Sequence, residues 1–183
     1  VHTLGSMNDL GSFYHRSHRY ELAQPLFTKT LDVRRRKLGE NNPDTLTSLN
    51  NLAMLLKAER RYDEAEPLLT EVLATRRKIL GDQHPQTITS MDNLAGVRRA
   101  AGPPAEAEAL YQEALAAAGK TLGDEHPTTL NARHNLAALY QATSRSAEAE
   151  PLLRSMLMTL EKNAPASVDL LEAKFALGTC LLA

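Results

Sequence analysis

The chain has one cysteine, Cys180, and no tryptophan. A single thiol excludes an intrachain disulfide framework and fits a reducing compartment. Cys180 sits in an apolar run, where a small buried hydrophobe is expected rather than a reactive thiol. Aromatic residues make up only 4% of 183 residues. A core built from Leu and Ala suits packed helices better than a β-sandwich. Net charge is −1, from 21 basic and 22 acidic residues, so the electrostatic footprint of a nucleic-acid binder is missing. No apolar run approaches the ~20 residues that span a membrane, and no secretory signal opens the sequence. No membrane partner is expected, and a cytoplasmic location is. The sequence has no glycine-rich phosphate loop, no nucleophile elbow, no HExxH and no His/Cys pair at zinc-ligand spacing. No catalytic residue, metal or cofactor is therefore expected, and no enzyme activity. The first residue is Val1 rather than Met, which suggests a piece of a longer protein.

What the sequence does have is a repeat. Leu38-Gly39, Leu80-Gly81 and Leu122-Gly123 are spaced by 42, as are Pro43, Pro85 and Pro127, and Thr45, Thr87 and Thr129. Asn51-Leu52-Ala53 recurs as Asn93-Leu94-Ala95 and Asn135-Leu136-Ala137, and Ala65-Glu66 as Ala107-Glu108 and Ala149-Glu150. An earlier unit aligns Leu10 with Leu52, Ala23 with Ala65 and Pro25-Leu26 with Pro67-Leu68. After the last full unit the register slips by one, so that Leu177-Gly178 matches Leu136-Ala137. Repeat periods of this length mark stacked supersecondary units. The units are approximately 1–37, 38–79, 80–121 and 122–163, with a terminal helix over 167–183, in a single array over 1–183.

Each unit reads as helix, turn, helix. Gly39 can adopt positive φ and close the preceding helix. Pro43 suits the first turn of the next, where its missing N–H costs nothing. That first helix runs to about Ala58, with Leu46, Leu49, Leu52, Ala53 and Leu56 at helical spacing. Asp63 is the expected N-cap of the second helix, with Glu66 three residues on. The second helix starts acidic and ends basic, complementing its dipole. His84 and His126 precede Pro in equivalent loops, where repetition argues for capping or packing. His15 and His18 are three apart without a third ligand, which favours a solvated polar turn. Arg34-Arg35-Arg36-Lys37 reads as dipole complement and solvated surface rather than an anion site. In the third unit, Arg98 replaces a tyrosine position, Pro103-Pro104 replace Arg61-Tyr62, and Gly119 falls inside the second helix. Drift is the simpler reading, and a local hinge the functional one.

The internal pattern identifies the repeat type. Leu10-Gly11-x2-Tyr14 with Ala23-x3-Phe27, and Leu136-Ala137-x2-Tyr140 with Ala149-x3-Leu153, resemble the tetratricopeptide (TPR) pattern of L-G-x2-Y and A-x3-F. Small residues at 11, 53, 95 and 137, and at 23, 65, 107 and 149, let paired helices approach closely. The phrase Leu80-Gly81-Asp82-Gln83-His84-Pro85-Gln86-Thr87-Ile88 and its repeat at 122–130 resemble the 42-residue TPR subclass of kinesin light chains and of the C-terminal arrays of some signalling NTPases. Kinesin light chains usually carry Asp-Val-Ala after the proline and Glu-Val-Glu on the second helix. Asp44-Thr45-Leu46 and Glu64-Ala65-Glu66 stand here instead. NTPase-associated or generic arrays therefore rank above a kinesin light chain.

The resemblance implies an all-α, right-handed solenoid of about four TPR hairpins plus one terminal helix, whose concave groove is lined by the first helix of each unit. It implies a scaffold for a protein or extended peptide. The alternatives are a ligand-sensing arm of a larger signalling NTPase and a motor-cargo adaptor. The residues placed on the groove include Asn8, Asp9, Asn50, Asn51, Met54, Lys57, Asp92, Asn93, Gly96, Arg99, Asn131, His134, Asn135 and Gln141. The Asn51/Asn93/Asn135 ladder leads, because a carboxamide both donates and accepts and can hold a peptide backbone. The same amides could instead bond the neighbouring helix and stiffen the solenoid. Lys57, Arg99, His15 and Arg16 could favour acidic peptides. The C-terminal apolar residues Leu170, Leu171, Phe175, Leu177, Leu181 and Leu182 either cap the array or leave a face open to homodimerisation.

Overall fold

The computed structural model describes residues 2–163 and 167–182. Val1, residues 164–166, Ala183 and the side chains of His2 and Leu182 lie outside the described residues, as therefore do the two expected chain-end boundaries. Nine helices and no strands are found among the described residues. They fall into two compact units, residues 1–79 and 80–183.

The first unit contains α1 (His2–Arg16), α2 (Tyr20–Leu38), α3 (Pro43–Ala58) and α4 (Tyr62–Leu80), the last ending at the unit boundary. Helix α2 packs between α1 and α3, and α1 also touches α3 directly. Two apolar clusters hold these helices together. Phe27 and Ala23 of α2 meet Leu55 of α3, while Leu31 meets Leu46, Leu49 and, from α4, Val72. Each such fully buried aliphatic side chain contributes about 1.5–3 kcal/mol. Gly11 shows why the small-residue column is small: a Cβ there would stand 2.7 Å from the Phe27 ring. Ala53, Ala23 and Ala65 of the same columns are fully buried. Leu52 packs against both clusters but is only half-buried.

The second unit contains α5 (Pro85–Ala101), α6 (Pro104–Leu122), α7 (Pro127–Ala142), α8 (Ser146–Asn163) and α9 (Val168–Leu182). Consecutive helices pack in order, and α5 touches α7. Here Leu94 and Leu136 of the Leu52 column are buried. Helix α9 packs on α8 through Leu170 and Ala173 against Met156, Leu157 and Leu160. Cys180 is buried, and its Sγ lies 3.1 Å from the Ser146 carbonyl. Helix α6 runs unbroken through Gly119.

The turns follow from local chemistry. Asn42, His84 and His126 cap α3, α5 and α7: their Oδ1 or Nδ1 atoms accept the backbone N–H groups of Asp44, Gln86 and Thr128. A proline at the first helical position follows each cap, where the N–H would be unpaired anyway. Gly39, Gly81 and Gly123 sit at φ of 85°, 83° and 84°. With ψ near 169° at Gly39 and 168° at Gly123, this is a region open essentially to glycine alone. The turns between paired helices instead use a left-handed non-glycine residue: His18, Arg60 and Ser144, at φ of 56°, 63° and 59°. In the third hairpin the matching Gly102 is extended at φ −128°, because the residue before Pro103 is driven out of helical conformations.

Two sequence expectations change at this level. Asp63 is not an N-cap, since α4 starts one residue earlier at Tyr62. The turn is held instead by Arg61, which donates to Glu64 at 2.7 Å and to Glu59 at 2.9 Å. The supposed solvated basic run also divides. Arg34 is 8% exposed and donates to the Asp44 carbonyl and to Ser48 Oγ, tying the end of α2 to the start of α3. Arg35 pairs with Glu40 and Glu71, which leaves Arg36 and Lys37 as the exposed part.

Candidate partner-binding face

The first helix of each hairpin presents a polar stripe beside its core stripe, and the ladder residues lie on it. In the first unit, Asn51 of α3 reaches back to α1, and its Nδ2 donates to Asn8 Oδ1 at 2.9 Å. In the second, Asn135 of α7 reaches back to α5, and its Nδ2 donates to Asp92 Oδ1 at 2.8 Å and Oδ2 at 3.0 Å. Both contacts span 43 residues, one more than the repeat. Each amide therefore meets the residue one place before its own column in the preceding unit. A carboxylate only accepts, so Asp92 fixes which way the Asn135 amide points. The amide nitrogen of each faces the neighbouring helix.

Asn8, Asn50, Asn51, Met54 and Lys57 are half-buried in the first unit, and Asp9 is exposed. In the second, Asp92, Asn93, His134 and Asn135 are half-buried, and Arg99 and Asn131 are exposed. Gly96 does not belong to the stripe, for it is buried. Gln141 is taken up by α9, donating to the Ala176 carbonyl at 2.8 Å and to Thr179 Oγ1 at 3.3 Å.

Beneath the stripe of α5 lies Tyr111 of α6, 1% exposed. Burial pushes its hydroxyl up to about 12, the Asp92 carboxylate adds to the rise, and Arg99 opposes it through charge and a hydrogen bond. Sequence reasoning missed Tyr111, although its column carries Leu69 and Leu153 and only here a hydroxyl. A second polar cluster closes the last hairpin. The Arg145 guanidinium lies 4.4 Å over the Tyr140 ring and donates to Glu108 and Glu148. The Arg145 hydrogen bond, helped by its charge, holds both carboxyls below the usual carboxylate range. Arg19 stacks on Tyr14 in the same way at 5.1 Å. In the third hairpin Pro103 takes the place of this turn arginine. The cation comes from Arg98 on the preceding helix, 3.6 Å from Glu106, whose column also holds Glu64 and Glu148. The departure at Arg98 is thus a transfer of the same ion pair.

An array of helical hairpins with small residues at the close approaches and a polar stripe on each first helix is a protein-interaction scaffold. The chain belongs to the tetratricopeptide repeat family, whose model matches residues 3–78, 47–120 and 90–162. It is similar to a solved structure from Podosopora anserina, described as a kinesin light chain with nearly identical TPR-like repeats. Identity is 29%, over 98% of this chain and 86% of that one, with a TM-score of 0.85. A variant of that protein matches at 28% identity and a TM-score of 0.86, over 98% of this chain and 85% of the other. BtubC (BKLC) from P. vanneervenii shares the fold, at 22% identity and a TM-score of 0.76, covering 85% of this chain and 62% of that one. No curated protein sequence matches. Proteins of this family bind protein partners and are typically non-catalytic. The two Podosopora anserina structures are kinesin-light-chain-like. No helix among the described residues is long and apolar enough to cross a membrane.

Proposed function

We propose that the chain binds an extended segment of a partner protein along the polar stripe of its first helices. The observation that carries this reading is the pair of inter-hairpin amide bonds made by Asn51 and Asn135. Asn51 and Asn135 each spend an N–H on the neighbouring hairpin, and the carbonyl oxygen of the same amide accepts from a peptide backbone. The stiffening and binding roles are then two ends of one side chain. Holding the amide in advance removes part of the ordering cost of binding.

The test is peptide-display selection against the chain, with Asn51→Ala/Asn93→Ala/Asn135→Ala as the control and circular dichroism to confirm that the control folds. Peptides retained by the native chain and lost by the folded control support the stripe. Peptides retained equally by both refute it.

A motor-cargo adaptor is the second reading, favoured by the two kinesin-light-chain-like structures. A heptad coiled coil elsewhere in the parent gene would support it, whereas a Walker motif there would favour an NTPase arm.

A further inference from the structure

Helices α7, α8 and α9 enclose a pocket of about 300 Å³. That is the lower end of the size range of ligand sites, room for one long side chain rather than a cofactor. Its floor is apolar: Met156 and Leu160 belong to the α8–α9 core, and Leu130 packs against them. Its rim carries Glu125, Asp169 and Glu172, and no lysine or arginine lines it. Glu125 is paired with Lys162 at 3.3 Å. Among the described residues, Asp169 and Glu172 form no ion pair.

An apolar floor beneath two carboxylates free of ion pairs matches the one kind of side chain that is aliphatic along its stem and cationic at its tip. A carboxylate would be repelled there, and a purely apolar side chain would forgo the rim. Beside the pocket, and sharing His134 and Glu172 with it, lies an open shelf that includes Leu171 and Phe175. These two side chains are 67% and 76% exposed and four residues apart on α9. In the slipped register Phe175 stands where α7 has His134 and α5 has Asp92, so the polar column ends on an aromatic ring.

We propose that the α7–α8–α9 pocket takes a lysine or arginine side chain of an extended partner segment, whose adjacent bulky apolar residue rests on Leu171 and Phe175. This rests on the stripe reading only in requiring an extended ligand. It replaces the expected preference for acidic peptides with a basic one at this end.

The probes are the N-acetylated dipeptide amides Arg-Phe, norleucine-Phe and Glu-Phe, titrated into the isotope-labelled chain and followed by NMR. Arg-Phe is expected to shift the Met156 methyl and the His134 and Glu172 amides, and to bind at least about fivefold more tightly than norleucine-Phe. Its Kd should rise with salt, and Glu-Phe should be the weakest. Asp169→Asn/Glu172→Gln should bring Arg-Phe to the norleucine level while circular dichroism shows the variant folded at the assay temperature. Phe175→Ala should remove the advantage of Arg-Phe over Arg-Ala. Equal binding of Arg-Phe and norleucine-Phe, shifts elsewhere, or no shifts at the solubility limit would each overturn the proposal. Display separates it from the stripe. Enrichment of basic-apolar pairs that survives the triple asparagine variant upholds the pocket and refutes the ladder. Ladder-dependent peptides with no basic residue do the reverse.

Discussion

Two glycines four residues apart should respond to the same substitution with opposite signs. Gly119 lies inside α6, and a Cβ there meets nothing within 4 Å. Gly119→Ala therefore changes only backbone entropy and should stabilise by roughly 0.5–1 kcal/mol. Gly123 ends the same helix at φ 84° and ψ 168°, again with nothing within 4 Å. Gly123→Ala meets no steric neighbour either, yet forces an L-residue into glycine-only backbone space, at a cost of about 1–3 kcal/mol. For a domain of this size each kcal/mol moves the midpoint by about 2–4 °C. Thermal unfolding by circular dichroism should thus show Gly119→Ala up by roughly 1–4 °C and Gly123→Ala down by roughly 2–12 °C. A D-alanine at 123, placed by semisynthesis, should reverse the loss, since the mirror residue favours positive φ. Two shifts of the same sign would refute the backbone argument, and so would a neutral Gly123→Ala.

Leu55→Ala should cost about 2–5 kcal/mol in urea unfolding, because Leu55 is fully buried against Phe27. Leu52→Ala should cost about half that or less, since part of its side chain is already in water. Tyr111 gives a signed pH dependence: its hydroxyl is held at about 12 in the fold against about 10 in the unfolded chain. The unfolded state ionises first, so a contribution of about 2–3 kcal/mol that is present below pH 10 is lost between pH 10 and 12. Urea midpoints of Tyr111→Phe should fall less steeply with alkali than those of the native chain; parallel profiles would contradict the burial. An Asp92→Ala/Asn135→Ala double-mutant cycle should give a coupling of about 0.5–2 kcal/mol, and additive effects would mean that the inter-hairpin bond contributes nothing.

The parts of this fold readable from sequence are those fixed by local chemistry at fixed offsets. Pro43, Pro85 and Pro127 open helices, the three positive-φ glycines close them, and the paired small columns mark close approach, as Gly11 against Phe27 shows. The ladder residues were identifiable by periodicity, but not their partners. Asn51 meets Asn8 and Asn135 meets Asp92 at an offset of 43 rather than 42, because packing side by side, not sequence alignment, decides which side chains face across two helices. Polar residues in both neighbouring columns were the available signal. The role of Arg34 is hidden for the same reason: a charge run looks solvated until the backbone of the next helix is brought to its end. The α7–α8–α9 pocket escaped notice because its acids and floor come from helices on both sides of the register slip. The columns that align the hairpins do not align there.

The claim that most needs a direct measurement is that the polar stripe of the first helices is the binding face. A display-selected peptide titrated into the isotope-labelled chain would map it by NMR. The account predicts shifts at the ladder side-chain amides of the unit that binds: Asn51 and α3 in the first unit, or Asn93 and Asn135 with α5 and α7 in the second. Shifts confined instead to the outer surface of a second helix, such as the shallow groove of Pro25, Thr28, Asp32 and Arg36 on α2, would contradict it.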